Sequence, residues 1–176
     1  MKSKIQKPIK IKSKQITTIE MEFAISILFG IRKHIIVPNL SWGFVSHECD
    51  IFLVKKSRYA VEVEIKRSYS DFMADFNKSH HHKERNNKIA EFYYAFPSTI
   101  VDRCRDLVPE GVGIIVCERQ KTTETIWASI ERRPIKIKNS RKLTIEEVLK
   151  VASLGCMRIW NLKSKVVNLQ NQIKNG

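Results

Sequence analysis

The chain has no pair of cysteines at C-x-x-C spacing; Cys49, Cys104, Cys117 and Cys156 lie far apart. That scatter excludes a zinc ribbon and a secreted disulfide framework, and it fits free thiols in a reducing compartment. No apolar run approaches the length of a membrane span. The lysine-rich start is not followed by the apolar stretch of a signal peptide. The sequence therefore reads as a soluble cytoplasmic protein with no membrane partner. There is no internal repeat. Acid is also scarce: 18 Asp plus Glu stand against 32 Lys plus Arg, a formal charge of +14 over 176 residues. Such a surface favours a polyanionic partner and fast electrostatic association, although charge alone does not separate nucleic acid from anionic lipid.

The length and a hydrophobic content of 43% allow one domain with a real core, without disulfides or structural metal. Residues 1–16 form a basic arm, with Lys2, Lys4, Lys7, Lys10, Lys12 and Lys14, Pro8 and no acid. Residues 17–176 read as a single domain, its core over about 18–117 and a hairpin and helix over 118–176. A helix starts at Thr18, capped by Thr17 or Thr18, with Phe23, Ile27 and Ile31 as its apolar stripe and an end near Gly30. A strand over 34–37 stops at Pro38-Asn39, and an irregular loop containing Trp42 follows. Strands at about 49–54 and 59–66 flank the polar Lys55-Lys56-Ser57-Arg58. A helix capped by Ser68 or Ser70 runs to about residue 79. A strand over 89–96, a short helix over 98–107, and strands over 112–117 and 125–132 come next. The last element is a long helix from Thr144 that breaks near Gly155.

The informative segment is Glu48-Cys49-Asp50 followed by Glu62-Val63-Glu64-Ile65-Lys66. Side chains alternate faces along a strand, so Glu62, Glu64 and Lys66 share one face and Val61, Val63 and Ile65 the other. A turn centred on Ser57 sets Ile51 opposite Val63 and Leu53 opposite Val61, and brings Asp50 opposite Glu64. Directly opposed Cβ atoms lie roughly 4.5–5.5 Å apart, which suits two carboxylates gripping one cation. Oxygen-only ligands point to a hard ion, Mg²⁺ or Mn²⁺. Lys66 projects on the same side, where it can position or deprotonate a water or stabilise charge on a phosphate. The bland alternative is a solvated face of alternating Glu and Lys. Glu62, one pleat away, reads as structural or solvated, and so does Glu48.

This pattern resembles the PD-(D/E)xK nuclease superfamily, specifically a bacterial and phage subgroup with E-x-D, then E-x-E-I-K, then S-D-F; here these are Glu48 to Asp50, Glu62 to Lys66 and Ser70-Asp71-Phe72. The resemblance covers about residues 18–117. It implies a restriction-endonuclease-like α/β fold, a central mixed sheet flanked by helices with core order α-β-β-β-α-β, here followed by a C-terminal helical extension. It also implies Asp50 and Glu64 as metal ligands, Lys66 as the catalytic lysine, and a further glutamate from the first helix, Glu22, with Glu20 second. The proline that precedes the aspartate in the family is replaced by Cys49.

Around this segment, Trp42, Lys78, His81, Lys83 and Lys88 are candidates for DNA contact, with solvent exposure the alternative for the His80-His81-His82 run. Phe92, Tyr93 and Tyr94 either stack on bases or fill the core. Arg132-Arg133 and the basic final helix (Arg158, Lys163, Lys165, Lys174) extend the positive surface, and that helix could also form a dimer contact. The expected function is a Mg²⁺- or Mn²⁺-dependent nuclease acting on duplex or branched DNA, of the kind found in DNA repair. The alternative is a catalytically silent DNA-binding module of the same fold.

Overall fold

In the computed structural model, which describes residues 15–40, 43–45, 47–76 and 87–175, six strands form one mixed sheet in chain order. Helix α1 (Thr18–Phe29) leads into β1 (Ile35–Leu40), β2 (Cys49–Val54) and β3 (Ala60–Ile65). Then come α2 (Tyr69–Phe76), β4 (Ile89–Pro97), α3 (Val101–Cys104) with a 3-10 turn (Arg105–Leu107), β5 (Gly113–Arg119), β6 (Ile126–Arg132) and α4 (Ile145–Asn175). Strands β1 to β3 form an antiparallel meander, β3, β4 and β5 are parallel neighbours, and β6 returns antiparallel to β5. Each parallel step needs a crossover, which α2 and α3 provide. The expected α-β-β-β-α-β order is present, followed by a hairpin strand and a long C-terminal helix. Among the described residues, no helix is long and apolar enough to cross a membrane.

Alternation divides the core. Ile51, Leu53, Val61, Val63, Ile65, Tyr93, Ala95, Ile115 and Cys117 pack with Met21 and Ile25 of α1. On the opposite face, Phe92, Tyr94, Phe96 and Ile114 pack with Phe72 of α2 and Val101 and Cys104 of α3. Phe52 and Val54 pack there with Val151 of α4 and with Phe44 and Val45. Met21 and Ile25 are fully buried, and each such side chain contributes about 1.5–3 kcal/mol. Phe92, Tyr93 and Tyr94 are all buried, so these aromatics fill the core and do not offer faces to bases.

Three expectations about local structure need correction. Helix α1 begins and ends where its caps require: Thr17 and Glu20 form a capping box, and Gly30 takes the left-handed conformation. Its buried stripe, however, is Met21, Ala24 and Ile25, while Phe23, Ile27 and Ile31 are 64%, 55% and 54% exposed. Strand β1 does not stop at Pro38. It is an edge strand, where the missing N–H costs no ladder bond on the open side, and it continues through Asn39 at φ 52° to Leu40. That left-handed residue breaks the alternation, so that Val37 and Leu40, three apart, both enter the cluster holding Phe52 and Cys49. Finally, α4 runs unbroken through Gly155. A Cβ there would sit 3.0 Å from Val37 Cγ2, so this glycine marks the close approach of helix to edge strand.

Candidate active site

The β2–β3 hairpin turns at Lys56 and Ser57, with Arg58 at φ 67° and Lys55 N–H donating to the Tyr59 carbonyl at 2.9 Å. Its ladder pairs Ile51 with Val63, Phe52 with Glu62 and Leu53 with Val61. The ladder ends at Ile51–Val63, and beyond it Asp50 meets β3 through its carboxylate, at the Ile65 N–H. Across β4, Glu62 is level with Phe92 and Glu64 with Tyr94. One row therefore crosses the sheet, Phe52–Glu62–Phe92, and Glu64 and Tyr94 stand side by side two residues further along.

Asp50 accepts the Ile65 N–H through Oδ2 at 2.7 Å. Glu64 Oε1 accepts from Lys66 Nζ at 2.9 Å. Burial pushes Glu64 up to about 7, with the negative charge of Asp50 adding to it and Lys66 opposing. Asp50 is raised as well, first by burial and further by Asp71 and Glu48, against the Ile65 N–H and Lys66. For Lys66, burial favours the neutral amine, but Glu64, Asp75 and Asp71 together outweigh it and the ammonium is favoured. Burial and neighbouring negative charge thus outweigh the help that Lys66 gives each carboxylate.

Glu22 of α1 feels the Asp50 charge, although Asp50, Glu64 and Glu22 do not close up into one three-donor cluster. Burial raises its pKa first, Asp50 raises it further, and Asn39 Nδ2 donates to its Oε1 at 3.2 Å. Glu20 is held instead by the Thr17 cap and by Arg119 Nη2 at 2.9 Å, which keep it at about 2. Glu48 is exposed. Glu62 is not solvated; it is 3% exposed and its Oε1 lies 2.6 Å from His47 Nε2.

Sequence reading overlooked Asp75, His47 and a cleft. Asp75 is 6% exposed on α2; its Oδ1 lies 3.3 Å from Lys66 Nζ and its Oδ2 accepts the Tyr94 hydroxyl at 2.9 Å. A signal was there: Asp75 is three residues after the buried Phe72, on the same helical face. His47 carries no local signal, because its partner Glu62 is distant in sequence. The cleft, about 580 Å³, opens beside the residues that follow Lys66, lined by Arg67, Ser68, Ser98, Thr99, Arg103 and Arg119 among others. Of the expected DNA contacts, Trp42, Lys78, His81 and Lys83 lie outside the described residues. Lys88 is committed to an internal tie, donating to the Phe44 carbonyl at 3.0 Å and lying 3.4 Å from Glu147.

No protein-family model matches the chain, and no curated protein does. Among solved structures, the fold is similar to "SPO1766 protein of unknown function from Silicibacter pomeroyi", at a TM-score of 0.56 and 12% identity, over 84% of this chain and 88% of that one. At that identity the likeness shows the fold alone.

Proposed function

We propose that this protein is a nuclease of the PD-(D/E)xK type, with a restriction-endonuclease-like core, hydrolysing DNA phosphodiester bonds with Mg²⁺ or Mn²⁺. The observation that carries the reading is the nearness of Asp50 and Glu64 at the end of the β2–β3 ladder. The pairing that buries Ile51, Leu53, Val61 and Val63 also brings Asp50 near enough to Glu64 for its charge to raise the Glu64 carboxyl, and Glu22 feels the Asp50 charge in turn. Lys66 offsets part of the cost of crowding these carboxylates, and a hard divalent cation would relieve more of it. Asp50 and Glu64 would hold it, with Glu22 from α1. When bound, the cation supplies Lewis-acid polarisation of a phosphoryl oxygen and a more acidic water.

Lys66 remains an ammonium beside Glu64 and Asp75. Its role is therefore to place positive charge against the phosphate as negative charge builds there. Arg67, Arg103 and Arg119 in the adjoining cleft offer a path for the phosphate backbone. Trp42, Lys78, His81 and Lys83 lie in the segments just before β2 and just after α2, and contact DNA in this reading. The protein works in the cytoplasm.

A homodimer fits the same picture. Ile159, Leu162, Val166, Leu169 and Ile173 recur at alternating spacings of three and four and are 55%, 60%, 52%, 58% and 80% exposed. β-Branched residues at one seam position and leucine at the other favour a two-stranded coiled coil with a second copy of α4.

The test is cleavage of supercoiled, linear and branched DNA with Mg²⁺, Mn²⁺ or a chelator. The wild type cuts only with the cation, and Asp50→Ala, Glu64→Ala and Lys66→Ala each lower the rate by about 10²–10³-fold. Salt-sensitive DNA binding that survives all three substitutions, with no cleavage by the wild type, would identify the silent DNA-binding module instead.

A further inference from the structure

One pleat along β3 from Glu64, a second set of donors converges. Glu62 is almost wholly buried, standing in the sheet between Phe52 and Phe92. A carboxylate in an apolar row is costly unless it is paired. Its Oε1 lies 2.6 Å from His47 Nε2, and that nitrogen is 3.7 Å from Cys49 Sγ. The three donor atoms all lie within 4.8 Å of one another. Cys49 reaches the group because the bend at Asn39 turns the Leu40–Cys49 pair towards the Phe52 side of the sheet.

We propose that His47, Cys49 and Glu62 bind a thiophilic divalent transition-metal ion, Zn²⁺ foremost, at a site separate from the Asp50–Glu64 pair. The donors are one imidazole nitrogen, one sulfur and one carboxylate oxygen, a set that suits zinc and not Mg²⁺. Zinc bonds of ~2.0 Å to nitrogen or oxygen and ~2.3 Å to sulfur put tetrahedral donors roughly 3.3–3.5 Å apart. The His47–Cys49 separation already matches. His47 and Glu62 would part by a little over half an ångström, exchanging their hydrogen bond for two metal bonds. His47 is the most accessible of the three, with 23% of its side chain exposed, so an ion and a completing water can arrive from its side.

Without a cation the Cys49 thiol is held in its protonated form, first by burial and then by the charge of Glu62. Binding therefore releases the thiol proton to solvent, together with the His47 proton where it is present, and affinity rises with pH. The ion would bolt the 43–47 segment, whose Phe44 and Val45 cover Phe52, onto the β2–β3 hairpin. The site is thus a stabilising clamp on the strands that carry Asp50 and Glu64.

Co²⁺ is the probe, because it reports its ligands in absorption. Adding one equivalent to the full-length protein should give a near-ultraviolet thiolate-to-cobalt band and intense visible bands of four-coordinate cobalt. Zn²⁺ should abolish both, while millimolar Mg²⁺ leaves them unchanged. Cys49→Ser should remove the thiolate band. His47→Gln keeps a hydrogen-bond donor for the buried Glu62 and should weaken Co²⁺ binding by about 100-fold or more, and so decides the matter if Cys49→Ser does not fold. Asp50→Asn should bind Co²⁺ like the wild type, keeping this result distinct from the fate of the nuclease reading. A wild type with no thiolate band, or an affinity unchanged in His47→Gln, overturns the proposal and leaves His47 and Glu62 as an ion pair beside a neutral thiol. Cobalt held by the His80-His81-His82 run would give that same band-free spectrum.

Discussion

Lys66 and Asp75 meet inside the protein, with 3.3 Å between Nζ and Oδ1, both side chains almost entirely buried. The other Asp75 oxygen is fixed by the Tyr94 hydroxyl. The lysine that ends β3 is thus aimed from two elements, by Glu64 on its own strand and by Asp75 on α2.

Asp75→Ala should cost about 3 kcal/mol in denaturant unfolding, the low end for breaking a buried pair, because Lys66 keeps Glu64 while the Tyr94 hydroxyl loses its acceptor. Asp75→Asn keeps an oxygen for Tyr94 and should cost less. In the nuclease reading, Asp75→Asn lowers kcat and leaves DNA affinity unchanged, since it disturbs how Lys66 is aimed. An equal loss in KM alone would contradict that.

Glu64 gives the metal-free protein a distinctive pH profile. Its folded-state pKa, raised from 4.5 to about 7, means that the folded form holds this proton more tightly than the unfolded chain does. The contribution is fully present below pH 4.5 and is lost as pH rises through 7. Denaturation midpoints without divalent ions should therefore decline over that window. Glu64→Gln should flatten the decline and be the more stable protein at pH 8. Mg²⁺ should raise the wild-type midpoint at pH 8 and leave Glu64→Gln nearly unmoved.

Gly155 tests how α4 is seated. An ordinary helix glycine gains about 0.8–1.0 kcal/mol on change to Ala. Here the new Cβ meets Val37 at 3.0 Å, so Gly155→Ala should show much less than that gain. Gly155→Leu should destabilise by about 1–3 kcal/mol. A full propensity gain in Gly155→Ala, read by thermal unfolding, would mean that the helix does not sit against β1.

The exposed seam of α4 leads to a hydrodynamic prediction. Leu162→Glu with Leu169→Glu should convert a dimer to a monomer in sedimentation equilibrium, with the thermal transition of the sheet domain retained. A wild type that sediments as a monomer at all concentrations would dismiss the pairing.

How far the sequence discloses this molecule depends on whether a choice has one physical answer. The hairpin register does, because slipping Val61, Val63, Ile51 and Leu53 by one residue would expose all four together. Helix α1 offers two answers: Ile19, Phe23 and Ile27 form as regular a stripe as Met21, Ala24, Ile25 and Leu28, and only the sheet selects between them. Gly155 reads as a break because propensity knows nothing of Val37. For Asp75 the spacing from Phe72 gives its buried face but not its partners, Lys66 and Tyr94, and for His47 no short-range pattern gives Glu62, because these partners stand on other elements.

Pro38 and Asn39 also bear on aggregation. An open edge strand offers unpaired N–H and C=O groups to any extended chain that drifts past. On β1, Pro38 withholds its donor, Asn39 bends the backbone out of register, and Arg158 of α4 already occupies the Asn39 carbonyl. That edge is a poor template for fibril growth. A chain that leaves so many apolar side chains on its helices is thereby spared a second, more dangerous kind of stickiness along this edge of its sheet.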